Sequence, residues 1–257
     1  MDEFVIVSRS LVAVGLAALL VLLRLDAERF GTAEYYESTR DGERPTVRRR
    51  LAWYGLGFAA AIGLLLIHPA PQSELYLGTG DRLRALGGGL LYGLLGTAQA
   101  LGYAYLRYHR VRLPEVWSYP GALLNSTATA FIDEVTFRGA VLGLVMATGL
   151  QPGAANLIQA LLYALTTRLG APGRDRYLFL LTLAIGVFGG WLTLTTGGIA
   201  AAFLGHAVTR FAVFVCTGHT GQPMPRGRET EEIEARRRPP KGWRIVGAAR
   251  ESLTRER

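Results

Sequence analysis

An all-helical bundle built into a membrane is what this sequence predicts, and two observations predict it. Half of the 257 residues are hydrophobic while only 19% are charged, and the charge is confined to a few short stretches between long apolar ones. Soluble helices interleave the two kinds of residue every few positions, so that one face can meet water. The apolar content also excludes a disordered or collagenous chain, and the lone Cys216 excludes a disulfide scaffold.

Crossing roughly 30 Å of hydrocarbon takes about 20 mainly apolar residues in helical form. Windows of this kind occur at Phe4–Leu23, Leu51–Ile67, Ala85–Tyr105, Tyr119–Met146, Pro152–Thr167, Tyr177–Leu194 and Ile199–Cys216. Those beginning at 152 and 177 are short or polar for a crossing. The acidic start (Asp2, Glu3) and the lack of a small-residue cleavage site predict that the first window stays in the mature chain. The reading divides the chain into a first transmembrane helix (1–24), a basic loop (25–50), two more helices (51–114), an intramembrane core (115–216) and a basic tail (217–257).

Basic residues set the expected orientation. Of 28, 23 lie in 24–50, 107–112, 168–176 and the tail, all on one side if the windows alternate, and only Arg82 and Arg84 lie on the other. The positive-inside rule then places the tail in the cytoplasm and the N-terminus outside a cytoplasmic membrane of bacterial type. The tail run Arg236-Arg237-Arg238-Pro-Pro-Lys241-Gly-Trp243 reads as a juxtamembrane segment facing anionic lipid or as a solvated topogenic tail. Topology accounts for the arginines, so nucleic acid is not an expected partner. Gly89, Gly93 and Gly96 in the third window, and Gly186 and Gly190 in the sixth, have the spacing at which helices approach closely.

Charged groups deep in a bilayer cost several kcal/mol unless paired or hydrated, which marks them for attention. Arg9 is near a window end and can snorkel. Asp133, Glu134 and Arg138 in the fourth window, and His206 and Arg210 in the seventh, cannot all do so. Glu134 and Arg138 are i and i+4, in the favourable order for an ion pair, while Asp133 lies about 100° round the helix and points elsewhere. His206 and Arg210 share a second stripe. One reading is a carboxylate–histidine site, Asp133 taking a proton from water and His206 donating to a developing oxyanion. The other is a charge-compensated knot, Glu134 with Arg138 and Asp133 with Arg210. One histidine and two carboxylates do not make a convincing metal site, and no cofactor motif is present.

The string Asp133-Glu134-Val-Thr-Phe137-Arg138-Gly139 resembles the first motif, Glu-Glu-x-x-x-Arg, of the CAAX protease and bacteriocin-processing (CPBP) family, intramembrane glutamic endopeptidases of the CAAX prenyl protease type. The stretches from Asn156 through Tyr163 to Thr167, and from Gly197 through His206 to Arg210, correspond to its second motif, Phe-x-x-x-His, and its third, His-x-x-x-Asn. The resemblance covers roughly 115–216. It implies that Asp133 stands at the water-activating Glu, that Glu134 and Arg138 keep the supporting pair, and that His206 keeps an oxyanion-binding position. Thr167 replaces the second-motif His and Arg210 the third-motif Asn. Losing that His removes the group best able to share a proton near neutral pH, and an arginine beside Asp133 weakens it as a base. Three functions follow: an endopeptidase cleaving membrane-associated peptides through Asp133 and His206, a pseudoprotease that binds a membrane protein or peptide without cutting it, or a carrier or channel using the charged cluster.

Overall fold

The computed structural model describes residues 3–27, 29–30, 47–108, 119–169 and 177–217, all within the unit Met1–Pro223. The segments 31–46, 109–118 and 170–176 and the tail from 218, on which much of the topological reading rests, lie outside the described residues. Among the described residues there is helix and no strand. The elements are α1 (Glu3–Leu25), α2 (Val47–Ile67), α3 (Arg82–Tyr108), α4 (Tyr119–Glu134), a π-helical segment (Val135–Val141), α5 (Leu142–Met146), α6 (Pro152–Leu169), α7 (Tyr177–Thr196) and α8 (Ala200–Thr217). Every apolar window is helical. The stretches Phe4–Leu25, Arg48–Ile67 and Phe179–Thr196 are long and apolar enough to cross a membrane, and Ala200–Cys216 is a shorter apolar helix. Leucines such as Leu66, Leu83, Leu94 and Leu180 point outward and exposed, as lipid-facing side chains do.

The fourth window departs from the expected single α-helix. The turn after Glu134 widens into the π-helical segment, all seven residues of which are buried. Within it Thr136 donates its hydroxyl to the Ile132 carbonyl at 2.6 Å, the back-bonding that loosens a helix ladder. Such segments occur disproportionately at functional sites.

Side-chain contacts fix how the helices run. Arg9 donates from Nε to the Ile67 carbonyl (2.6 Å) and from Nη2 to that of Leu66 (3.3 Å), satisfying the end of α2, and Trp53 Nε1 donates to the Leu23 carbonyl (2.7 Å) near the end of α1. These two helices are therefore antiparallel. Helices α3 and α8 run parallel at very close range. A Cβ on Gly89 would stand 2.9 Å from Leu204 Cβ, one on Gly93 2.9 Å from Val208 Cγ1, and one on Gly96 would collide with the Thr209 side chain. Gly186 meets Ala160 and Gly190 meets Asn156 across the antiparallel α6–α7 pair. Both glycine sets thus make the close helix contacts expected of them.

One end of the bundle accordingly carries the ends of α1, α3, α6 and α8, each followed in the sequence by arginine-bearing segments. The opposite end is covered by the 68–81 connection. Its Leu75 and Leu77 are buried against Gly139 and Gly143, Ile199 N–H donates to the Tyr76 carbonyl (3.1 Å) and Asp81 N–H to that of Thr196 (2.8 Å). Gly80 takes φ +60 there, with the Thr196 backbone where a side chain would stand. Asp81 Oδ1 then caps α3 by accepting from the N–H groups of Leu83 (3.1 Å) and Arg84 (3.0 Å).

The α3–α8 contact makes a sharp prediction. Gly96→Leu is expected to lower the unfolding temperature of the detergent-purified protein markedly, by overpacking worth about 1–3 kcal/mol or more. Gly102→Ala, on the same helix with nothing within 4 Å of its added methyl, is expected to be neutral or stabilising. Equal effects in a thermal melt would show that the α3–α8 packing is wrong.

Candidate functional site

Asp133 and Glu134 end α4, where the helix changes character, and both are almost wholly buried. They point to different partners, as their separation round the helix demands. Glu134 Oε1 meets Arg138 Nη1 at 3.2 Å and His206 Nδ1 at 2.6 Å. The expected supporting pair is therefore present, and its carboxylate also holds the α8 histidine. His206 meets Glu134 and not Asp133, against the Asp133–His206 site that was one of the two readings of the residues. The contact comes from the neighbouring acid because the stripe that holds Arg138 also faces α8.

Arg138 is fully buried. Its Nη2 donates to the Ile185 carbonyl of α7 (3.3 Å), its guanidinium carbon lies 4.3 Å from the centre of the Tyr163 ring, and a Cβ on Gly189 would stand 3.0 Å from its Nε. Gly189 thus provides the room in α7 for a planar cation stacked on an aromatic face. Tyr163, at the second-motif aromatic position, also packs on Phe137 and places its hydroxyl 3.4 Å from His206 Nε2. The imidazole is consequently addressed at both nitrogens, by Glu134 on one side and by Tyr163 on the other.

In the charge-compensated reading of the sequence Asp133 pairs with Arg210. Its partner is instead Arg24 of α1, whose Nε lies 3.2 Å from Asp133 Oδ1, with both side chains buried. Arg24 Nη2 also reaches Thr167 Oγ1 at 3.5 Å. A single guanidinium therefore stands between the position where the family has its water-activating acid and the position where it has its second histidine. Arg210 remains in electrostatic range of Asp133, Arg24 and Tyr163 without an ion pair to Asp133. Its Nε and Nη2 find no hydrogen-bond acceptor among the described residues.

Arg24 is the residue of this polar cluster that the sequence reading leaves out. The sequence counts it with the basic residues of 24–50, because an arginine at the end of an apolar helix ordinarily turns out to the interface. A signal was available in the spacing. Ala13, Ala17, Leu20 and Arg24 follow one another at helical intervals on the buried stripe of α1, so Arg24 occupies the next core position. Among the described residues no three His, Cys, Asp or Glu side chains converge as metal ligands would.

Asp133, Thr167 and Arg24 thus form one polar cluster. Glu134, Arg138, His206 and Tyr163 form a second beside it, drawn from the three helical stretches that carry the family-like motifs. No curated protein and no solved structure matches the chain. A family model does: residues 115–212 match the description type II CAAX prenyl endopeptidase, Rce1-like. Residues 115–212 are thus similar to that family, in agreement with the CPBP-like motifs read around Asp133, Tyr163 and His206.

Proposed function

We propose that this protein receives a membrane-associated peptide or protein in a CAAX-endopeptidase-like core and does not hydrolyse it. The observation that carries the reading is the position of Arg24. Activating water requires a carboxylate free to take a proton, and a histidine or equivalent to share it. A permanently charged guanidinium 3.2 Å from Asp133 engages that carboxylate as a counter-ion, and it touches the threonine that replaces the histidine. The binding scaffold (Glu134, Arg138, Tyr163 and His206) is meanwhile kept together. In this reading the arginine-rich end faces the cytoplasm of a bacterial-type membrane, and the substrate-like partner enters from that side or from the lipid. The carrier alternative needs a wet route to both faces, and the burial of Leu75 and Leu77 over Gly139 and Gly143 at the opposite end speaks against it.

A second reading rests on a specific geometry. A histidine oriented through Nδ1 by a glutamate at 2.6 Å is the usual arrangement of a general base acting through Nε2, so hydrolysis could run through Glu134 and His206 with Asp133 a bystander.

Incubating the protein in proteoliposomes with a prenylated C-terminal peptide separates the two. The parent is expected to show no cleavage. The variant combining Arg24→Met, Asp133→Glu, Thr167→His and Arg210→Asn is expected to gain it. Cleavage by the parent that survives Asp133→Asn but is lost in Glu134→Gln would establish the second reading and overturn the first.

A further inference from the structure

Helix α7 carries none of the family-like motifs, yet three successive carbonyls along it each accept a side-chain donor from a neighbouring segment. Arg138 Nη2 reaches the Ile185 carbonyl at 3.3 Å, Gln159 Nε2 that of Gly186 at 2.9 Å and Asn156 Nδ2 that of Val187 at 3.0 Å. The two carboxamides are also joined to each other, Gln159 Nε2 donating to Asn156 Oδ1 at 2.8 Å. Carbonyl oxygens only accept, so both amides turn nitrogen toward α7, and both Gln159 hydrogens are then used. Gly190 makes the room, since a Cβ there would collide with Asn156 Oδ1 and stand 2.5 Å from Gln159 Nε2.

Close approach of α6 and α7 is already served by Gly186 against Ala160. What the carboxamides add is direction, because a hydrogen bond fixes angle and height where apolar contact does not. Gln159 and Tyr163 are i and i+4, on one face of α6. Tyr163 is the side chain that touches both ends of the Glu134 cluster, its ring 4.3 Å from the Arg138 guanidinium carbon and its hydroxyl 3.4 Å from His206 Nε2. Facing a carboxylate oxygen at 2.6 Å, His206 Nδ1 carries the ring proton, which leaves Nε2 to accept from that hydroxyl. A contact of 3.4 Å is near the limit of a hydrogen bond, so a small turn of α6 breaks it. Arg138 grips the same turn of α7, and Ile185 there packs against Phe137 and Tyr163.

We infer that Asn156 and Gln159 are positioning residues for the candidate site: they lock α6 to the turn of α7 that Arg138 also holds, and so keep Tyr163 between Arg138 and His206. Their hydrogen bonds go to α7 and to each other, so their effect on His206 passes through Tyr163. The inference rests on the proposed function only in taking this scaffold to receive a peptide; the placement of Tyr163 is tested without one.

The test uses the full chain in detergent with 15N-labelled histidine, the His206 signals being assigned among the four histidines with His206→Gln. Tyr163→Phe removes the hydroxyl and marks where the Nε2 resonance of His206 lies without its donor. Gln159→Met, of similar length but with no donor, is expected to move that resonance most of the way to the Tyr163→Phe position. It is also expected to weaken binding of a prenylated C-terminal peptide at least about tenfold. Asn156→Ala removes the contact to Val187 alone from α7 and is expected to move the resonance the same way by less, which keeps the test open should Gln159→Met fail to fold. Asp81→Ala, which removes the cap of α3, is expected to lower the unfolding temperature and leave the resonance in place. A parent that binds no peptide while the α6 variants move the resonance as expected supports the positioning role and counts against the peptide reading. An Nε2 resonance at the parent position in both α6 variants or in Tyr163→Phe, or one moved equally by Asp81→Ala, overturns the inference.

Discussion

Replacing Arg138 with alanine is expected to cost about 3–5 kcal/mol of stability, the largest effect of any single change at this site. Arg138 and Glu134 are both 0% exposed, so removing the guanidinium leaves a carboxylate with no cation on its own helix and no route to solvent. The loss also removes the stacking on Tyr163 and opens a void against Gly189. His206 cannot substitute for it without taking up a proton of its own in a dry environment. Such a penalty belongs to the uncompensated charge more than to the lost contact, which gives the prediction a control. Glu134→Gln combined with Arg138→Met is expected to recover a large part of the stability that Arg138→Ala alone loses. Urea or thermal unfolding in detergent reads both. A fully stable Arg138→Ala that nonetheless loses whatever peptide binding the parent shows would make Arg138 a binding residue and remove its structural role.

Arg24→Met comes next in size, for the same reason at the neighbouring acid. Asp133 is 1% exposed and its one ion pair among the described residues is to Arg24, so methionine, which fits the stem but not the charge, leaves the carboxylate unmatched. Destabilisation of about 3 kcal/mol is expected, with most of it recovered in Arg24→Met plus Asp133→Leu. Arg210 offers a second reading of the same experiment. If its guanidinium swings to Asp133 once Arg24 is gone, the single variant loses less than Arg138→Ala does, and adding Arg210→Gln to it then costs the remainder. The double-mutant cycle between positions 24 and 210 measures that coupling directly.

Much of this protein is legible from sequence because a membrane simplifies the problem. With no water to satisfy the backbone, a long apolar window has one structural solution, and each window from Phe4 to Cys216 is helical as expected. Glycines at Gly89, Gly93 and Gly96 announce a close neighbour for a similar reason, since there is little else for such a stripe to do. The Glu134–Arg138 pair follows from helical spacing alone, being local and indifferent to what other helices do. The residues of the family-like motifs follow from their order along the chain.

What only the tertiary structure decided is which charge meets which across helices. Asp133 had several arginines within conceivable reach, and sequence spacing says nothing of the distance between α1 and α4. Arg24 reaches Asp133 because the stripe of Ala13, Ala17 and Leu20 packs inward and carries the arginine with it. His206 reaches Glu134 rather than Asp133 because the stripe of α4 that holds Arg138 also faces α8. Local chemistry determined the helices and their internal pair. Long-range packing determined the ion pairs between helices, because in a low-dielectric interior the energy of a charge depends on partners supplied from distant parts of the chain.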